Sequence, residues 1–257
     1  MLSEKIHKLI SKLKKIKEKK YFPVLLVVIF SLLFIATRLP RLADDVINPD
    51  AVLWHSRSEQ FVVGIKYGQF EKTYQHYHPG VTLMWIVGSS VEIFKQLSGI
   101  TVYNSDTYQT FDLVAKSTLI FVQLALSILV IYFLSKLTGF YKSFLVISLF
   151  SFEPFFLGNS RILHLDVLST LLVFLGLIFA FENLRDGKFS KSIITGLLLA
   201  LSFLTKSICI GALFYVIFYY FFHLIEEKNN KKEILRMSIF ILVSFIFFTF
   251  LFFPALW

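Results

Sequence analysis

Cysteine is almost missing from this chain: Cys209 stands alone in an apolar run, which excludes an internal disulfide framework and a paired-thiolate metal site. Its surroundings assign it to core packing. Charge is scarce as well, at 17% of residues, and acids fall short of bases, 17 against 26. A formal charge of +9 taken alone points to nucleic acid. The basic residues, however, sit in short clusters between apolar runs with no nucleic-acid-binding motif around them, so membrane topology accounts for them and no nucleic-acid partner is expected. The chain also lacks an internal repeat, a glycine-rich phosphate loop, a His-Glu-x-x-His or other metal spacing, and a Gly-x-Ser-x-Gly elbow. No metal and no cofactor is called for.

What is there is apolar. With 56% hydrophobic residues, 31 Phe and a mean hydropathy of +0.70, the chain carries more apolar surface than a water-soluble core of this size can hide, and it belongs in a bilayer. The reading is an all-α integral membrane protein. Residues 1–20 hold eight lysines, with Leu2, Ile6, Leu9, Leu13 and Ile16 at roughly helical spacing, the pattern of a basic amphipathic segment on an anionic inner leaflet. A cleaved signal peptide fits less well, because the next apolar run is too long and ends at Arg38-Leu39-Pro40 without a small-residue cleavage site.

Residues 21–257 form the transmembrane module. Apolar runs near 22–37, 113–135, 143–158, 167–181, 192–205, 207–225 and 237–256 make about seven spans of an approximately 30 Å hydrocarbon core, the shorter ones using interfacial flanks. An eighth stretch, 81–97, would bury Glu92 and Lys95 if it crossed, which is expensive. Charge decides the matter: without that crossing, the tail and the loops near 135–142, 182–192 and 226–236 fall on one side and together carry 17 of the 26 Lys and Arg, as the positive-inside rule expects. The stretch 81–97 is therefore an interfacial helix with Ser89, Glu92 and Gln96 on its wet side. The amino end is cytoplasmic, Trp257 lies outside, and the outer loop 38–112 carries interfacial helices.

This topology brings polar residues to the outer face from three segments. The first, from about Arg38 to His78, contains Asn48-Pro49-Asp50 and His76-Tyr77-His78-Pro79-Gly80. Asp50 precedes Ala51–Tyr67, an interfacial helix with Trp54, Phe61 and Ile65 turned to the membrane, and on these grounds it serves equally as helix N-cap or as catalytic base. The second segment, 157–166, concentrates Arg161, His164 and Asp166. Asp166 sits where the N-cap of the next span belongs, and Arg161 has the planar fork that suits a phosphate. The third, Thr205-Lys206-Ser207, adds a cation that snorkelling alone also explains. His76 and His78 could ligate a metal, but no third ligand stands at a telling spacing; seating the interfacial helix or bonding a phosphate are the other readings. Asp44 and Asp45 belong to a solvated loop, and Glu153-Pro154 marks a kink.

The order of these features resembles the GT-C superfamily of membrane glycosyltransferases, in its protein O-mannosyltransferase and aminoarabinose-transferase-like branch. The resemblance rests on Asn48-Pro49-Asp50, His78-Pro79-Gly80-Val81, Pro154-Phe155 with Ser160-Arg161, and Asp166, and it covers nearly the whole chain. It implies inverting transfer of a sugar from a polyprenyl-phosphate donor to an acceptor hydroxyl on a protein, lipid or glycan, at the outer face of the cell membrane. Asp50 is then the general base, Asp166 an organiser of the site, and Arg161 and His78 bind the donor phosphate together with His164 and Lys206. Two departures stand out: family members have Asp-Glu where this chain has Asp50-Ala51, and they continue well beyond seven spans, which makes the chain read as an amino-terminal module. A transporter or flippase, and a non-catalytic membrane module that pairs with a separate chain, are the rival readings.

Overall fold

The structure, a computed structural model, describes residues 21–45, 48–75, 78–226 and 230–257. The basic segment 1–20, and with it the amphipathic reading, lies outside them, as do His76 and Tyr77. Every regular element among the described residues is helical. Five helices are long and apolar enough to cross a membrane, so the chain is a multi-pass, all-α membrane protein.

The first of these, α1 (Phe22–Arg38), starts with Pro23 in its first turn, where a missing N–H costs nothing. Two less apolar helices follow: α2 (Pro49–Lys66) and α3 (Val81–Ser98). The long α4 (Ser105–Thr138) opens on an Asn104–Thr107 capping box. Its 34 residues span about 51 Å at 1.5 Å per residue, well beyond the hydrocarbon thickness. After it come α5 (Phe140–Phe152), α6 (Pro154–Arg161), α7 (Asp166–Asp186), α8 (Phe189–Thr205), α9 (Ile210–Glu226) and α10 (Lys231–Phe252).

Two of the expected spans are not single long helices. The run 143–158 is broken into α5 and α6, which meet at 66°. Pro154 cannot donate to a continuing ladder, and Glu153 instead caps α6, its carboxylate accepting from the N–H groups of Phe155 and Phe156 at 3.0 and 2.8 Å. The run 192–205 becomes α8, an apolar helix of 17 residues. The sequence 81–97 is indeed one helix, α3, and it is not among those apolar enough to cross.

Alternation of the helices sorts the loops onto two ends. At the far end, the Arg185 guanidinium reaches the Lys136 carbonyl at 3.4 Å, and Lys191 bridges Glu182 and Asp186, each at 2.7 Å. At the other end lie the last turn of α1, the helices α2, α3 and α6, the start of α7 and the end of α8. Helix α8 packs closely on α10, because Gly196 has no side chain: a Cβ there would stand 2.7 Å from the Ile241 carbonyl oxygen. The outward faces of α1, α9 and α10 leave Leu32, Phe218 and Ile246 exposed, surface suited to lipid rather than water.

Interfacial α2 turns out to bury its large side chains within the protein. Trp54 and Phe61, read above as membrane-facing, are buried; Trp54 packs on Gly80, where a Cβ would overlap its ring, and Phe61 packs edge-on against Trp85 of α3. Gly80 is also left-handed, with φ 59°, and its N–H donates to the Thr205 carbonyl at 3.2 Å. Thr82 adds a bond to the Leu201 carbonyl at 2.8 Å. These contacts pin the His78-Pro79-Gly80 turn to the end of α8, beside Lys206. Cys209 is half-buried rather than in the core.

Candidate active site at one end of the helix bundle

Helix α2 is capped by Asn48, not by Asp50. The Asn48 side chain accepts the Asp50 N–H at 3.0 Å, and Pro49 occupies the first turn. Asn is as good a cap as Asp, so the Asp50 carboxylate is left without that duty. Asp166 is likewise not a cap: it is the first residue of α7, its predecessor Leu165 holds the cap position, and no side chain caps the helix. Both carboxylates stand in the first turn of a helix, where the aligned peptide dipoles favour negative charge.

The two acids, 116 positions apart in the chain, meet through one histidine. His164 Nε2 lies 3.6 Å from Asp50 Oδ2, and its Nδ1 lies 3.3 Å from Asp166 Oδ2. These are ion-pair distances rather than hydrogen bonds; Nδ1 is buried with no hydrogen-bond partner. Lys206 closes the row, donating to Asp166 Oδ1 at 2.5 Å. It is thus engaged by a carboxylate and not simply snorkelling. Asp50 is the more open acid, its side chain 57% exposed against 40% for Asp166. His78 is exposed, two residues before the Gly80 anchor, and the described contacts give it no bond to the row.

Arg161 goes elsewhere. Its Nε and Nη2 clasp Asp45 at 3.0 and 2.7 Å, Nη1 donates to the Thr37 and Arg38 carbonyls at 3.2 and 2.9 Å, and Nη2 also reaches the Pro40 carbonyl at 3.1 Å. All five N–H groups are committed, and they close the C-terminus of α1, whose last carbonyls lack helical partners. The expected phosphate-facing fork is therefore a structural clasp, and Asp45, expected on a solvated loop, is its counter-ion. Asp44 stays exposed, within 3.4 Å of Arg41. Arg38 is fully buried beneath this clasp, bonded to Ser160 Oγ at 2.7 Å and the Ser151 carbonyl at 2.6 Å.

A cation that motif spacing does not single out stands on the helix that begins at Asp50. Arg57 lies seven residues after Asp50, on the same face of α2. Its guanidinium carbon stacks 4.8 Å over the Trp54 ring centroid, and no described carboxylate pairs with it. The periodicity of α2 could have revealed it.

A second charged group was also not legible. His55 Nε2 bonds Asp112 Oδ1 at 2.9 Å, and Lys116 bonds Asp112 Oδ2 at 2.5 Å, all three side chains being buried. The one readable sign was the i, i+4 spacing of Asp112 and Lys116. Beside them, between α2 and α3, lies a cavity of about 100 Å³. Across it Lys66 reaches Glu92 at 3.2 Å and Lys95 reaches Glu59 at 2.6 Å. Burial works against ionisation of Glu92, but hydrogen bonds from Gln96 and Lys66 and the charges of Lys66 and Lys95 outweigh it and hold the carboxyl below its usual range. Burial pushes the Tyr103 phenol up, with Tyr108, Asp112 and Glu59 adding to the effect.

Set against models of protein families, characterised proteins and solved structures, the chain matches none of them.

Proposed function

We propose that the chain is a membrane glycosyltransferase module that moves a sugar from a polyprenyl-phosphate donor to an acceptor hydroxyl, with inversion, at the non-cytoplasmic face of the cell membrane. The observation that carries this reading is the row Asp50, His164, Asp166 and Lys206, assembled from three segments at one end of the bundle.

Asp50 is the general base. Its open carboxylate takes the acceptor's hydroxyl proton as that oxygen bonds to the anomeric carbon, while the bond from that carbon to the donor phosphate breaks and the phosphate leaves with the electron pair. Asp166 holds Lys206 and, with His164, fixes the far end of the row. Lys206 and Arg57 supply positive charge where negative charge grows on the phosphate, the type of term that usually dominates such catalysis. The acceptor is a hydroxyl of a protein, lipid or glycan, and the amino end is cytoplasmic, which is the orientation that the basic far-end loops favour.

Asp50→Asn removes the base and leaves the Asn48 cap untouched. Transfer by the purified full chain, reconstituted with polyprenyl-phosphate-linked mannose or aminoarabinose and assayed as label moved to acceptor, is expected to fall ~10²- to 10⁴-fold. Turnover within a few-fold of the parent chain would refute the assignment. The rival reading, a transporter, draws on the buried ionisable group His55, Asp112 and Lys116, a feature typical of substrate pathways. Flux of the lipid-linked sugar across vesicles without transfer would favour it.

A further inference from the structure

The cavity between α2 and α3 plays no part in the reaction proposed above, and its lining is unusual. Two cations, Lys66 and Lys95, and two anions, Glu59 and Glu92, face it as two cross-helix pairs. Deeper in, Ser58 is 3% exposed and its Oγ has no hydrogen-bond partner. His55 also lines the space; with Nε2 turned to Asp112, its Nδ1 is the ring nitrogen left to accept a bond. A buried hydroxyl left unbonded is destabilising, a cost that a ligand or water entering the cavity would recover.

The charge pattern selects the ligand. A lone anion would face both carboxylates, and a lone cation both ammonium groups, so either would break ion pairs and meet like charge. A molecule carrying both signs exchanges pairs without that penalty: its phosphate meets Lys66 and Lys95, and its ammonium meets Glu59 and Glu92. The acceptors on offer, carboxylates, Ser58 Oγ and His55 Nδ1, call for N–H donors, so a primary ammonium fits and a quaternary one does not.

The cavity adjoins a mostly apolar groove. Val62, Lys66 and Glu92 line both, and the groove, of about 310 Å³, adds Phe61, Ile65, Trp85 and Ile93. A polar hollow beside an apolar groove suits an amphiphile. We propose that α2 and α3 together bind one lipid with a phosphoethanolamine head group, the head in the cavity and an acyl chain along the groove.

Trp85 in the groove supplies the probe. The purified full chain in detergent is titrated with phosphatidylethanolamine carrying dibrominated acyl chains, and tryptophan fluorescence is followed. Saturable quenching is expected that disappears in Trp85→Phe, is displaced by unbrominated phosphatidylethanolamine, and weakens at least tenfold in Ser58→Leu. The double variant Glu59→Gln, Lys95→Met removes one ion pair as a unit, so no orphan charge remains to unfold the chain, and the same loss is expected there. Quenching of equal strength by brominated phosphatidylglycerol or phosphatidylcholine, or unchanged in the double variant, would mean an ordinary lipid belt and overturn the proposal. Protection of the fold by free O-phosphoethanolamine without any quenching by the lipid would make the ligand a soluble zwitterion and overturn it equally. None of these outcomes bears on Asp50.

Discussion

Asp50 and Asp166 sit in the first turns of their helices without capping them, and a neighbour explains each case. Asn48 takes the cap of α2, while Lys206, arriving from the end of α8, claims the Asp166 carboxylate. The same competition removes Arg161 from the row. Its fork finds a carboxylate in Asp45 and three carbonyls at the end of α1, a set that a lysine's compact ammonium cannot reproduce. Arg161→Lys should therefore act on stability: a loss of about 1 to 3 kcal/mol, read as a lower unfolding temperature in detergent, with affinity for polyprenyl phosphate within twofold of the parent chain. A tenfold loss of that affinity at unchanged stability would return Arg161 to the phosphate.

At the scale of elements, the site is held by helix ends rather than by loops. The Gly80 turn is bonded to Thr205 and covered by Trp54, which locks α2, α3 and the end of α8 as one unit beside Lys206. That unit depends in turn on how closely α8 lies on α10. Gly196→Ala adds a methyl 2.5 Å from Ser244 Cβ and 2.7 Å from a backbone oxygen, so the helices must separate. The strain is expected to exceed the roughly 1 kcal/mol that alanine gains in helix propensity and to cost about 1 to 3 kcal/mol net. Thermal unfolding of the variant checks this, and an unchanged or higher midpoint would show that the contact yields.

For the whole molecule, the two ends differ in chemistry. The far end is rich in Lys and Arg loops, and the site end gathers the acids, the histidine and the less apolar helices. Single cysteines in a Cys209→Ser background test the orientation: Ser56→Cys, exposed at the site end, should react with an impermeant maleimide added to intact cells, and Lys188→Cys should react only after lysis. Labelling in the reverse pattern would invert the topology and move the proposed chemistry to the cytoplasm. Ser160 is unsuited as a reporter because it is buried against Arg38.

Much of this was legible in the residues. Membrane class, helical elements and the break at Glu153-Pro154 follow from apolar run length, charge content and proline, which act locally and therefore survive in a linear string. The polar segments around Asp50, Asp166 and Lys206 stood out for the same reason. Tertiary structure alone decided which cation is free and which aromatic faces are covered. Asn48 and Asp50 are equivalent caps by type, and the local geometry at the start of α2 gives the cap to Asn48; Arg57 and Arg161 are equivalent cations by type, and contacts of Arg161 with residues more than a hundred positions away distinguish them. Burial of His55, Asp112 and Lys116 has the same origin: a charge's cost depends on what surrounds it, and for these three the surroundings are supplied jointly by α2, α3 and α4.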